Sequence, residues 1–180
     1  MFEAFVLDFR YVGSGRCSTI WGFVLAHAAW IASDLGAGEL ICPIAVIQKG
    51  VVREVIPFEA ESQVQAINRG KASFDEFKDD VDAWAFAREG IFSIAGGDAA
   101  RKDVLTVSSW VKQLDEPITL QQLFRPKAKN GFCLVGDLMI SIHRAIPPDD
   151  VHGRLRTIVM EGVSLHPQGG NWNYWSELST

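Results

Sequence analysis

The sequence predicts an α+β fold: a mainly antiparallel sheet of about six or seven strands, with about three helices packed mostly on one face. Three observations carry that expectation. Two β-branched runs, residues 40–47 and 51–58, flank Gln48-Lys49-Gly50, a three-residue hairpin connection in which the glycine supplies positive φ. Ser62 with Gln65 three residues on is a capping box, which opens a helix by satisfying free backbone donors reciprocally. Residues 82–92 then alternate, with Trp84 and Phe86 on one side and Ala83, Ala85 and Ala87 on the other, as strand geometry requires. The alanine side leaves room for a closely packed helix.

The remaining elements follow in order. Residues 2–12 alternate loosely and fit a strand better than a short helix, although so few positions do not decide it. After Gly13-Ser14-Gly15, a helix capped by Ser18 carries Trp21, Leu25, Ala28, Ala29 and Ala32 at helical spacing and ends at Gly36 and Gly38. It is apolar on most sides, so it should be buried. In the helix after Ser62, the inner face is expected to be Val64, Ile67, Phe74 and Phe77, continuing to Val81. Pro43 and Pro57 cannot donate to a ladder and belong at strand ends, edges or bulges. Residues 96–102 form a turn, and residues 104–111 and 118–125 form strands, the second ended by Pro126. Asn130-Gly131 turns the chain, and Gly136-Asp137 reads as a two-residue hairpin connection between strands 132–135 and 138–142. Pro147 and Pro148 with Asp149 or Asp150 open a last helix whose inner face is Val151, Leu155, Ile158, Val159 and Gly162. There is no internal repeat.

Composition bounds the class. With 180 residues, 48% apolar and 22% charged, residues 1–180 are expected to be a single globular domain, with 167–180 an aromatic tail that is loosely attached if any part is. The net charge of −5 and the absence of any basic run argue against a nucleic-acid surface, which needs concentrated Lys and Arg. Three cysteines far apart, Cys17, Cys42 and Cys133, fit a reducing compartment better than a disulfide framework. Glu3 and Asp8 near the start lead to the expectation that residues 2–10 are not a secretory leader, and the longest apolar stretch, of about 15 residues, falls short of a bilayer span. The expectation is an acidic, soluble, cytoplasmic protein without a membrane or nucleic-acid partner.

Chemistry-bearing candidates are few. The turn Gly13-Ser14-Gly15-Arg16-Cys17-Ser18 feeds a helix N-terminus, where free N–H groups and Arg16 would hold an anion and Cys17 would have a lowered pKa. The competing reading is an entry loop with Ser18 or Thr19 as cap. No two of His27, His143, His152 and His166 share helical ligand spacing, so no metal or other cofactor is expected. His27 reads as a core histidine with one hydrogen-bond partner. The acidic run Asp75, Glu76, Asp79, Asp80 and Asp82 reads as a solvated helix end. Arg88 and Glu89 are read as a polar pair that either lines a pocket or joins a cross-strand ion pair. Trp172, Tyr174 and Trp175 sit in a polar, glycine-rich setting, and aromatics with polar handles are favoured at interfaces; the competing and favoured reading is that the tail folds back and covers a sheet face, since termini with large aromatics are commonly tied down by packing. No catalytic signature appears. The sequence therefore points to a non-catalytic interaction or binding module with a protein partner or self-association; the alternative is a small enzyme or anion-binding protein using the Gly13 to Thr19 turn.

Overall fold

A computed structural model describes residues 17–93 and 101–177. The expected strand or helix at 2–12, residues 96–100 of the expected 96–102 turn and the glycines of the Gly13 turn lie outside them, while Arg101 and Lys102 of that turn belong to a strand, paired with Ser93 and Phe92. The described chain forms α1 (Ile20–Asp34), β1 (Ile44–Lys49), β2 (Val52–Pro57), α2 (Gln63–Phe77), β3 (Ala83–Ser93), β4 (Arg101–Val111), β5 (Ile118–Arg125), β6 (Cys133–Ser141), α3 (Asp149–Ser164) and α4 (Asn171–Glu177). All six strands join one antiparallel sheet in the order β2-β1-β3-β4-β5-β6. This is the α+β class that the sequence predicts.

The alternation in β3 decides which helix lies where. Ala83, Ala85 and Ala87 belong to the larger core with α1, α3 and α4, while Trp84 and Phe86 belong to a smaller core under α2. Alanines keep their own face low, so α1 lies against β3 and β4, with Trp21, Leu25, Ala28, Ala29 and Ala32 buried. Helix α3 crosses α1 at two glycines. A Cβ on Gly22 would stand 1.7 Å from the Val159 carbonyl oxygen, and one on Gly162 would stand 2.2 Å from that of Thr19. Only a backbone-to-backbone approach fits there. The inner face of α3 is Leu155, Ile158, Val159, Gly162 and Val163, close to the expected set.

On the other face the fit is reversed, and the expected inner face of α2 is corrected. Its buried residues are Ala66, Gly70 and Ser73, and Val64 is exposed. The sheet supplies the bulk here: a Cβ on Gly70 would meet the Phe86 ring at 2.0 Å. Trp84 Nε1 donates to Ser73 Oγ at 3.0 Å, and that hydroxyl donates to the Gly70 carbonyl at 2.7 Å. Phe74 and Phe77 pack at the flanks. The Ser62 cap is as expected, with its hydroxyl accepting from Gln65 N–H at 3.3 Å.

Two connections differ from expectation. Lys49 pairs with Val52, so the first hairpin turns on two residues, Gly50-Val51, with Gly50 at φ 58°; positive φ at the first position alone suits a type II′ turn. Gly136-Asp137 does not turn the chain. Both halves of β6 find partners on β5: Met139 pairs with Gln121 and Val135 with Leu123, which leaves a bulge with Gly136 at φ 66°. The buried Gln122 side chain holds it together by donating to the Val135 and Gly136 carbonyls at 3.1 and 3.3 Å. Ladder hydrogen bonds on both sides outweigh the local turn signal. In the C-terminal segment the described residues, up to 177, follow the reading in which the tail folds back on the sheet: α4 packs on β6, and Trp172 and Trp175 are each 7% exposed within the larger core.

The glycine crossing yields a stability test. Gly22→Ala or Gly162→Ala is expected to destabilise by on the order of 3 kcal/mol, since backbone cannot yield as a side chain can. Gly153, exposed on α3 with open space at its Cβ position, provides the control: Gly153→Ala should stabilise by about 0.5–1 kcal/mol through helix propensity. Urea midpoints measure both, and a tolerated Gly22→Ala would contradict the close crossing.

Candidate functional site

The anion turn loses its two main supports. Ile20 N–H and Trp21 N–H, which an incoming anion would need, already donate to the Cys17 and Ser18 carbonyls at 3.1 and 3.3 Å. Ser18 is buried, and Thr19 is the N-cap without using its hydroxyl as a cap. That hydroxyl instead accepts from Arg53 Nη2 at 2.8 Å. Arg53 stands opposite Gln48 in the hairpin register, donates from Nε to Gln48 Oε1 at 2.8 Å and lies 4.7 Å over the Phe23 ring. Gln48 Nε2 reaches Cys17 Sγ at 3.6 Å and the Gly50 carbonyl at 3.0 Å. Burial first, then the charge of Asp82, push the Cys17 thiol up, against a smaller downward pull from Arg53. The expected lowering is therefore corrected: a neutral thiol is the favoured form. Gly13, Gly15 and Arg16 lie outside the described residues.

A histidine pair continues along the same stripe of α1, sharing Phe23 with Arg53. Phe23, His27 and Trp30, spaced one face apart on the helix, surround His166 from the turn after α3, with His27 Nδ1 3.0 Å from His166 Nε2. The Gln168 N–H donates to His166 Nδ1 at 3.1 Å. That bond assigns the tautomers: His166 carries its proton on Nε2 and donates it to His27 Nδ1, leaving the His27 proton on Nε2. Burial lowers both imidazoles, and His27 adds to the burial effect in bringing His166 to about 4. His27 thus has one hydrogen-bond partner among the described residues, as expected, but it is half-buried and not a core residue.

The pair backs onto a groove of about 660 Å³ between the C-terminal half of α1 and α4. Trp30 and Gln168, each tied to the histidines, line it with Tyr174 and Trp175, and Asp34 and Glu39 supply carboxylates. Trp30 is 43% and Tyr174 60% exposed. Of the three aromatics singled out in the sequence, Tyr174 and Trp175 form the wall and Trp172 is core. Trp30, Asp34 and Glu39 were not among the sequence candidates; Trp30 and Asp34 stand four residues apart on an otherwise apolar helix, which is the spacing that places them on one face. Lys127 Nζ reaches Asp34 Oδ1 at 3.1 Å, an exposed pair.

Arg88 and Glu89 do not form a pocket pair. As neighbours in β3 they face opposite sides of the sheet. Arg88 shares the Trp84 face. Glu89 shares the alanine face and is 8% exposed, with Oε2 accepting from Ile41 N–H at 3.2 Å. It lines a cavity of about 310 Å³ with Asp103, Phe124 and the turn after α1. Burial raises its carboxyl most, the Ile41 hydrogen bond opposes that, and Asp103 adds to it.

Among the described residues, no group of three or more His, Cys, Asp or Glu could hold a metal ion, and no helix is long and apolar enough to cross a membrane. The acidic run behaves as a helix end, with Asp75 on Lys78 at 2.8 Å and Asp82 accepting from Gly50 N–H at 2.7 Å. Comparison with family models, with curated proteins and with solved structures gives no match. The chemistry of the groove therefore carries the functional reading.

Two titrations check these environments. The unfolded chain binds a proton at His166 near the ordinary 6.5 and the folded chain only near 4, so the unfolded state holds more protons in that window. This contribution to stability is complete above pH 6.5 and is lost as pH falls towards 4. An NMR titration of His166 should give a midpoint near 4; an ordinary midpoint would contradict the buried pair. Alkylation should modify the exposed Cys42 first, and the rate at Cys17 should rise with pH only above the range of a free cysteine.

Proposed function

We propose that this protein is a non-catalytic interaction module that holds a basic, aromatic-containing peptide segment of a protein partner between α1 and α4. The observation that carries the reading is the groove of about 660 Å³, in which the exposed Trp30 and Tyr174 face the carboxylates Asp34 and Glu39. Flat aromatic faces attract Lys and Arg as well as other rings, and the carboxylates give the sign of the partner. The net charge of −5 favours the approach of a basic segment over a long range. Lys127 on Asp34 does not oppose it, because exposed ion pairs exchange readily. The histidine pair supports the role by holding Trp30 and Gln168 in place from behind, and pre-organised walls bind more tightly than mobile ones.

A seven-residue synthetic peptide containing Lys, Arg and one Trp, beside a counterpart with Glu at the basic positions, tests the reading through amide shifts of α1 and α4. The basic peptide should shift residues around Trp30, Asp34 and Tyr174, and the acidic one should not. Tyr174→Ala, at an exposed position, should weaken binding about tenfold while leaving the fold intact. Equal affinity for the two peptides, or no loss in Tyr174→Ala, overturns the reading.

A further inference from the structure

We infer that the cavity at Glu89 is a site for an alkylammonium group, with the amine between Glu89 and Asp103 and its carbon chain against Leu35, Leu40 and Phe124. The cavity is separate from the aromatic groove, although Leu35 and Glu39 line both, and the inference does not depend on the peptide reading.

The buried carboxyl carries the argument. Glu89 is more than nine-tenths buried, yet its one hydrogen bond among the described residues goes to Oε2 from Ile41 N–H. Among the described residues its other oxygen has no donor, and the side chain lines a cavity of about 310 Å³, the size at which small-molecule pockets begin. That oxygen is not among the fully buried unsatisfied atoms, so it opens to the cavity, where an entering cation can meet it and offset the cost of holding a carboxylate in a largely apolar setting. Asp103 stands on the same sheet face, since its residue in β4 pairs with Ile91, two positions along β3 from Glu89. Its charge adds to the burial that raises the Glu89 carboxyl, and an arriving cation would relieve both effects.

The walls select the kind of cation. Hard metal ions need six or so oxygens, and the cavity offers carboxylates only from Glu39, Glu89 and Asp103. Glu39 Oε2 is already engaged by Gly36 N–H at 2.6 Å. The rest of the lining is chiefly apolar, which suits a methylene chain ending in an ammonium. Lys129 Nζ stands 3.2 Å from Asp103 Oδ2, with its side chain largely exposed, so an arriving ammonium shares Asp103 with it or displaces it, as exposed ion pairs exchange readily. A second ammonium fits deeper, at the unused Glu89 oxygen.

The test uses n-butylammonium as probe and 1-butanol as its neutral isostere, followed by the amide shifts of Leu35, Glu89 and Phe124. Butylammonium should saturate these shifts and 1-butanol should not. Glu89→Gln keeps an acceptor for Ile41 N–H and should weaken amine binding at least about tenfold. Asp103→Asn, nearer the surface, is the second variant and should weaken it in the same direction. Tyr174→Ala should leave amine binding unchanged, which separates this site from the peptide groove. Acetyl-lysine N-methylamide against cadaverine then distinguishes a partner's lysine side chain from a free amine as the source. Equal binding of 1-butanol, or unchanged affinity in both carboxylate variants, overturns the inference.

Discussion

The structure depends on how closely α1 approaches its neighbours. It is pressed on one side against Ala83, Ala85 and Ala87 and on the other against α3, where Gly22 and Gly162 let the two backbones touch. Each contact removes side-chain bulk so that dispersion and area burial act over a long stretch of helix. Everything at the candidate site hangs from that placement. Because α1 is held at this depth, Phe23, His27 and Trp30 meet the turn at His166, and the end of α1 and its following turn close over the Glu89 cavity.

The second face solves the same packing problem with the roles exchanged. Trp84 and Phe86 project from the sheet, so α2 presents Ala66, Gly70 and Ser73 to them. The total volume between layers is shared differently on the two sides. Alternating small and large residues in one strand therefore sets the composition of helices on both faces. This also explains why the large apolar side chains of α2 sit at its flanks: the space beneath the helix axis is already filled by rings.

Three buried polar groups are treated in three ways. Arg53 and Gln48 bond each other, Thr19 and the Gly50 carbonyl, and they tie the start of α1 to the hairpin. His27 and His166 satisfy one another as neutral rings and resist protonation. Glu89 keeps an acceptor in reserve and resists ionisation. The first two act as structural joints between elements, and the third keeps an oxygen open at the cavity, which is the basis of the inference drawn for it. The histidine and Glu89 shifts also oppose each other in acid: protons favour the folded state at Glu89 and the unfolded state at the histidines.

By itself the sequence determined the features that depend on neighbours a few residues away: the α+β class, the strand alternation of β3, the Ser62 cap, the Asn130-Gly131 turn and the inner face of α3. Alternation also separates Arg88 from Glu89, a consequence that treating the two as one polar pair overlooked. Tertiary structure decided the rest. Gly136-Asp137 has the signature of a hairpin, but the β5 ladder on both sides makes it a bulge. Val64 has the spacing of a core residue, but the rings of Trp84 and Phe86 rotate α2 onto its small face. Trp172, Tyr174 and Trp175 are equivalent as a string, and only the docking of α4 on β6 assigns Trp172 to the core and Tyr174 and Trp175 to the groove wall, the first of these exposed and the second buried. The reason is common to all three cases: local pattern says which side chains share a face, while the depth and rotation of that face are set by the shape of the surface it meets.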